Sequence, residues 1–152
     1  MDYVAEAANI VKQVMPWDLD REIKDGHISI MLDIREPHEF HSIHIEGSLN
    51  VPRGILEVAC EWDYEETIPE LVNSRDKEIV TICRSGYRSI LSAKILVEMG
   101  FSKVRSLKTG LRGWNDYELP LMSMEGKEIL PVYDADKYFI PKLSKDQLKP
   151  KV

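Results

Sequence analysis

The sequence predicts an α/β fold: three layers, α/β/α, around a central and mainly parallel sheet of about five strands. Three observations carry that expectation. The runs ISIMLDI (Ile28–Ile34) and EIVTIC (Glu78–Cys83) are apolar, β-rich and of strand length, as strands buried on both faces are. Each is followed by a stretch of helical spacing or composition. Strands alternating with helices at this interval read as βαβ units, whose crossover helices cover both sides of a parallel sheet.

Taken in order, residues 3–14 place Val4, Ala7, Ala8, Val11 and Val14 close to helical spacing. A first helix is expected there, ended by Pro16, which restricts its predecessor and cannot donate. WDLDREIKDG is a short helix, with Asp18 near its start and Gly26 at its end. After the first buried strand, EPHEFHSIH supplies one or two helical turns, and GSLNVP a short strand closed by Pro52. Residues 54–76 are mostly helical by propensity, interrupted at Pro69. EIVTIC follows, then a helix over Tyr87–Met99 with Ile90, Ala93, Leu96 and Val97 inward and Gly100 just past its end. KVRSL is another strand, and GLRGWNDY a turn leading into a short helix. Beyond Glu118 the periodicity fades. The expected organisation is an N-terminal helix over 1–15, packing on or extending the domain, then a domain over 16–120 and a partly irregular extension over 121–152.

Composition excludes several classes of function. The 152 residues are 43% apolar and 30% charged, with net charge −6 and a pI near 5.3. That is an ordinary globular balance with no general attraction to nucleic acid. No window approaches a membrane span. The opening MDYVAEAANIVK has an acid at position 2 and no basic stretch before an apolar core, so no signal peptide is expected. Two cysteines in unlike contexts do not make a disulfide framework, and a reduced, cytoplasmic protein is expected. Monomer and homodimer both remain open. The last eleven residues hold four lysines against one aspartate, a basic tail suited to solubility or to contact with an acidic partner.

The candidate reactive group is Cys83. It ends a buried strand, and the next helix begins about four residues later, so the intervening RSGY turns sharply with Gly86 supplying backbone freedom. Ligands of open α/β sheets gather beyond the carboxyl ends of strands. A tight turn there aims successive N–H groups into one concavity, and the helix N-terminus adds partial positive charge. A cysteine so placed favours its thiolate. Arg84 and Arg88 add fork-shaped donors for a tetrahedral oxyanion.

With these residues in view, the sequence resembles the rhodanese family of sulfurtransferases. CRSGYRS (Cys83–Ser89) resembles its six-residue active-site loop. DIREPHEFHSIHIEGSLNVP, from Asp33 to Pro52, is similar to the family's D-x-R-E-P-x-E-F…H-I-x-G-A-x-N-I-P pattern. GLRGW is similar to the glycine-then-tryptophan stretch after the last strand. Ile43 stands where the family usually has glycine, and Ser48 replaces a common alanine. The likeness spans about residues 16–120, leaving the first helix and the tail outside it.

The resemblance implies a rhodanese-like domain and sulfane-sulfur transfer. The Cys83 thiolate attacks the outer sulfur of a donor such as thiosulfate, sulfite leaves, and a thiol or cyanide takes the sulfur from a Cys83 persulfide. The loop N–H groups of Arg84, Ser85, Gly86, Tyr87, Arg88 and Ser89 stabilise the persulfide, and Arg88 is the preferred holder of the sulfonate. Asp33 and Arg35 are supporting residues, as an orienting carboxylate and a structural pair. No metal or organic cofactor is implied. The donor is a small sulfur anion or persulfide. The acceptor is a thiol, with a partner protein as one form of it, and neither nucleic acid nor membrane is involved. A persulfide carrier docking through Glu61–Thr67 or the lysine tail is the rival from another class. A Cys-dependent phosphatase or arsenate reductase is a further rival; cell-cycle-type phosphatases share the fold with a C-x5-R loop sized for phosphate, whereas four residues separate Cys83 from Arg88. His38, His41 and His44 fall at i, i+3 and i+6, which suits a surface helix and a turn better than a metal. Cys60, in an apolar stretch, reads as buried rather than as a resolving thiol.

Overall fold

The structure, a computed structural model, describes residues 2–27, 29–124 and 128–151. A parallel five-stranded sheet forms its centre. The strands are β1 (Lys12–Val14), β2 (Ile30–Asp33), β3 (Leu49–Asn50), β4 (Glu78–Ile82) and β5 (Lys103–Leu107), in the spatial order β1-β5-β4-β2-β3. Register runs Ile30↔Ile79 to Asp33↔Ile82 between β2 and β4, and Glu78↔Lys103 to Thr81↔Ser106 between β4 and β5. All strands therefore end at one edge of the sheet. The chain winds outward from β2 to β3 and then resumes on the other side of β2 at β4. That reversal opens a crevice at the carboxyl ends of β2 and β4, where such sheets bind ligands. Ile28, the first residue of the expected strand, lies outside the described residues.

Alternation along the strands feeds two cores. On one face, Leu32, Ile79 and Val104 pack with α1 (Asp2–Ala8), α4 (Leu56–Ala59), α5 (Pro69–Val72) and α6 (Tyr87–Glu98) through Ala7, Ala59, Leu71, Ile90, Ala93 and Leu96. On the other, Met31, Val80, Ile82 and Leu107 pack with α2 (Pro16–Lys24) and α7 (Gly110–Asp116) through Leu19, Leu111 and Trp114. The short α3 (Pro37–Ser42) follows β2 and carries Glu36 and Glu39 in a reciprocal capping box.

The first helix is shorter than its apolar spacing suggested. It stops at Ala8, and Lys12–Val14 forms the edge strand β1 against Arg105–Leu107. The physical reason is visible in two valines: Val11 is buried in the α6-side core and Val14 in the α7-side core. One helical face could not deliver both, whereas a strand crossing the sheet edge can.

The tail is also more ordered than its sequence implied. Leu121 and Ser123 are buried, Met122–Ser123 (β6) pairs antiparallel with Glu128–Ile129 (β7), and α8 (Val132–Asp136) leads into a turn carrying Phe139. Ala135 and Phe139 join the α7-side core. From Ile140 the described chain is exposed.

Removing residues 1–14 should lower unfolding stability by at least about 3 kcal/mol, because two buried valines and a sheet edge go with them. Urea unfolding checks this; an unchanged midpoint would show the segment to be dispensable.

Candidate active site

β4 sends Ile79, Thr81 and Cys83 to the side covered by α6. Thr81 Oγ1 donates to the Ser89 carbonyl at 2.8 Å, tying the strand to the first turn of that helix. Cys83, 1% exposed, then lies beneath the helix start. Its Sγ accepts from the Gly86 N–H at 3.1 Å and the Ser89 N–H at 3.3 Å. Ser89 Oγ is 3.4 Å from the sulfur and 2.8 Å from Ser106 Oγ, so a buried hydroxyl pair backs the site. As the thiol ionises, Ser89 can turn its proton to sulfur and accept one from Ser106. With a twelve-residue helix behind it, the loop is an anion nest.

Two glycines make that geometry available. Gly86 caps α6 at φ +94°, a left-handed conformation that costs L-residues energy. Gly110, at φ +63°, lies so close to the loop that a Cβ would stand 2.5 Å from the Cys83 carbonyl oxygen. From there the N–H groups of Leu111 and Arg112 donate to the Cys83 and Arg84 carbonyls, both at 2.9 Å. The GLRGW stretch is thus the buttress of the cysteine loop.

The three nearby arginines are held differently. Arg35 forks onto Asp33 (Nε to Oδ1 at 3.0 Å, Nη2 to Oδ2 at 2.9 Å) and reaches the Ile43 carbonyl at 2.6 Å, all of it buried. Asp33 is therefore paired with its neighbour and not with a loop arginine, although its charge is felt at Arg88. Arg88 forks onto Glu39, with both contacts at 2.9 Å. Burial pushes the Glu39 carboxyl up, but hydrogen bonds from Arg88 and the Glu36 N–H, with the fields of Arg88 and Arg35, outweigh it and hold its pKa at about 2. The hydrogen bond to Glu39 raises Arg88 from its ordinary value. Arg84 instead donates from Nη2 to the Phe139 carbonyl at 2.8 Å.

The loop arginines consequently face two clefts. Arg88 borders a cleft of about 440 Å³ with Glu36, Arg53 and Glu57. Arg84 borders one of about 830 Å³ between α3 and residues 137–143. Neither Glu39 nor the C-terminal wall was singled out from the sequence. For Glu39 a signal existed: the i, i+3 carboxylates Glu36 and Glu39 flank a proline helix start, and a capping box leaves one of them an oxygen to spare.

Of the remaining candidates, Ser85 is half-buried and Tyr87 exposed at the loop surface. His38 and His41 are exposed, but His44 is buried rather than on a surface turn: its Nδ1 is 2.8 Å from the Phe40 carbonyl and its ring stacks on Phe40. Among the described residues, no group of three or more His, Cys, Asp or Glu is placed to hold a metal. Cys60 is fully buried, and burial pushes its thiol up to about 11, which keeps it protonated in the core. No helix among the described residues is long and apolar enough to cross a membrane.

A model described as "Rhodanese-like domain" matches residues 15–117. The chain belongs to that family. It is 31% identical over 111 residues to thiosulfate sulfurtransferase 18 of Arabidopsis thaliana, covering 68% of this chain and 77% of that protein. It is 30% identical over 112 residues to the adenylyltransferase and sulfurtransferase UBA4 of Candida albicans, covering 68% of this chain but only 23% of that longer protein. Among solved structures, it is similar to a protein of unknown function from Rhodopseudomonas palustris described as a possible tyrosine phosphatase. That likeness has a TM-score of 0.72 and 29% identity, over 78% of this chain and 90% of the other. The rhodanese-like match ends at residue 117, so the C-terminal wall of the larger cleft lies beyond it.

The Glu39–Arg88 pair makes a pH prediction. A carboxyl whose folded pKa lies below its unfolded one stabilises the fold above the unfolded value and loses that contribution as pH falls through the folded one. The stability gap between wild type and Glu39→Gln should therefore be full near neutrality and close between about pH 4.5 and 2. Urea midpoints across that window check it; a gap independent of pH would contradict the pairing.

Proposed function

We propose that the protein transfers sulfane sulfur through a persulfide on Cys83, with thiosulfate or a low-molecular-weight persulfide as donor and a thiol as acceptor. The observation that carries the reading is the sulfur's own environment: Cys83 Sγ held by two loop N–H groups and a hydroxyl at a helix N-terminus. In the first half-reaction the thiolate attacks the donor's outer sulfur. A new S–S bond forms, the donor's S–S bond breaks, and sulfite leaves with the electron pair. In the second, an acceptor thiolate attacks the outer persulfide sulfur and restores the Cys83 thiolate. The nest stabilises the anion at both ends of this cycle, as an oxyanion hole does for oxygen.

Burial of Cys83 favours sulfur over phosphorus. A sulfane sulfur is a terminal atom and can reach a recessed thiolate, whereas phosphorus is shielded by its own oxygens. The four-residue spacing to Arg88 and the neutralisation of that residue by Glu39 argue the same way against a phosphatase. They also move the anion-holding role from Arg88 to Arg84, whose acceptor at Phe139 is uncharged. A carrier serving a partner protein uses the same persulfide and differs only in acceptor.

Mixing the protein with thiosulfate should add one sulfur atom by intact mass, release sulfite, and do neither in Cys83→Ser. Loading from an organic persulfide but not from thiosulfate would shift the reading to a carrier. Loading from neither, with hydrolysis of an aryl phosphate, would overturn it.

A further inference from the structure

The segment that follows the family domain reaches back to the cysteine loop. Phe139 is 7% exposed, packed in the core that also contains Leu111 and Trp114 of α7. Asn115 of α7 donates through Nδ2 to Asp136 Oδ1 at the end of α8, which pins the approach to Phe139 from a second side. The Phe139 carbonyl is thereby fixed, and it accepts from Arg84 Nη2. The same α7 holds the Cys83 and Arg84 carbonyls from its N-terminus. Backbone and side chain of Arg84 are thus located by one element, directly in the first case and through residues 136–139 in the second.

The chemistry of the acceptor decides what this contact does. A carboxylate would orient a guanidinium and cancel its charge, as Glu39 does for Arg88 and Asp33 does for Arg35. A carbonyl orients it and leaves the charge for another partner. An arginine that is only half-buried otherwise loses rotamer freedom when an anion binds it. Fixing it beforehand removes part of that cost from binding.

We propose that Phe139 is a positioning residue for the active site: its carbonyl holds Arg84 over the larger cleft, charged and pre-oriented, for the anionic group of the sulfur donor. This rests on the sulfur-transfer reading for the identity of the anion. The orientation of Arg84 is a separate claim and can fail separately.

The test uses the full-length Cys83→Ser protein, which binds without turning over, with thiosulfate as probe and affinity read by calorimetry. Phe139→Ala should weaken binding about tenfold, the scale of one charge-assisted hydrogen bond. Phe139→Leu, which keeps the packing that fixes the main-chain carbonyl, should bind as the parent does. In an Arg84→Gln background, Phe139→Ala should have no further effect, because coupled positions are not additive. An equal loss in both backgrounds, no loss in either, or no binding by the parent would overturn the proposal. Wild-type turnover of thiosulfate, measured alongside, reports on the sulfur-transfer reading. Absent turnover with Phe139-dependent anion binding would leave the positioning role standing and overturn the assigned chemistry.

Discussion

The backbone of Gly110 lies against the cysteine loop at a distance no side chain would allow, and from that contact α7 donates to the carbonyls of Cys83 and Arg84. A trans peptide points its C=O and N–H in opposite directions. Fixing those two carbonyls outward therefore turns the N–H groups of Arg84 and Ser85 the other way, into the loop. The remaining donors, Gly86 and Ser89, are aimed by the left-handed cap and the helix start. Without the buttress the nest would have to hold several unpaired dipoles in one orientation against their own repulsion.

Charge around the loop is partitioned with similar economy. Two of the three arginines are matched by carboxylates, and these pairs fix structure: Asp33–Arg35 ties the turn after β2 to Ile43, and Glu39–Arg88 clamps α3 onto the start of α6. The third, Arg84, is held by a neutral group and keeps its charge. That leaves one oriented cation beside the larger cleft, while Cys83 Sγ lies buried beneath the start of α6 with its N–H donors.

Much of this was legible in the sequence, and the limits have physical causes. Strand β4, the turn at Gly86 and the helix after it could be read because a buried strand, a left-handed glycine and an amphipathic helix each leave a local mark. β1 could not, since Val11 and Val14 sit at a spacing that serves a helical face as well as a short strand crossing the sheet edge. The partners of the arginines were beyond reach for another reason: Glu39 and Phe139 meet the loop across 49 and 55 residues of chain. No local period encodes such pairings, so the sequence shows Arg88 following the turn but not the carboxylate it pairs with. The tail, poor in periodicity, conceals Leu121, Ala135 and Phe139 as isolated anchors.

A rhodanese-like domain with an added C-terminal wall is then a scaffold whose Cys83 is seated by backbone N–H groups and whose Arg84 side chain is held by a residue past the domain. The most direct measurement is a crystal structure of the thiosulfate-treated protein. The account predicts one additional atom on Cys83 Sγ, lying inside the loop within hydrogen-bond reach of its N–H groups. An unmodified Sγ, or a persulfide turned away from the loop, would contradict it.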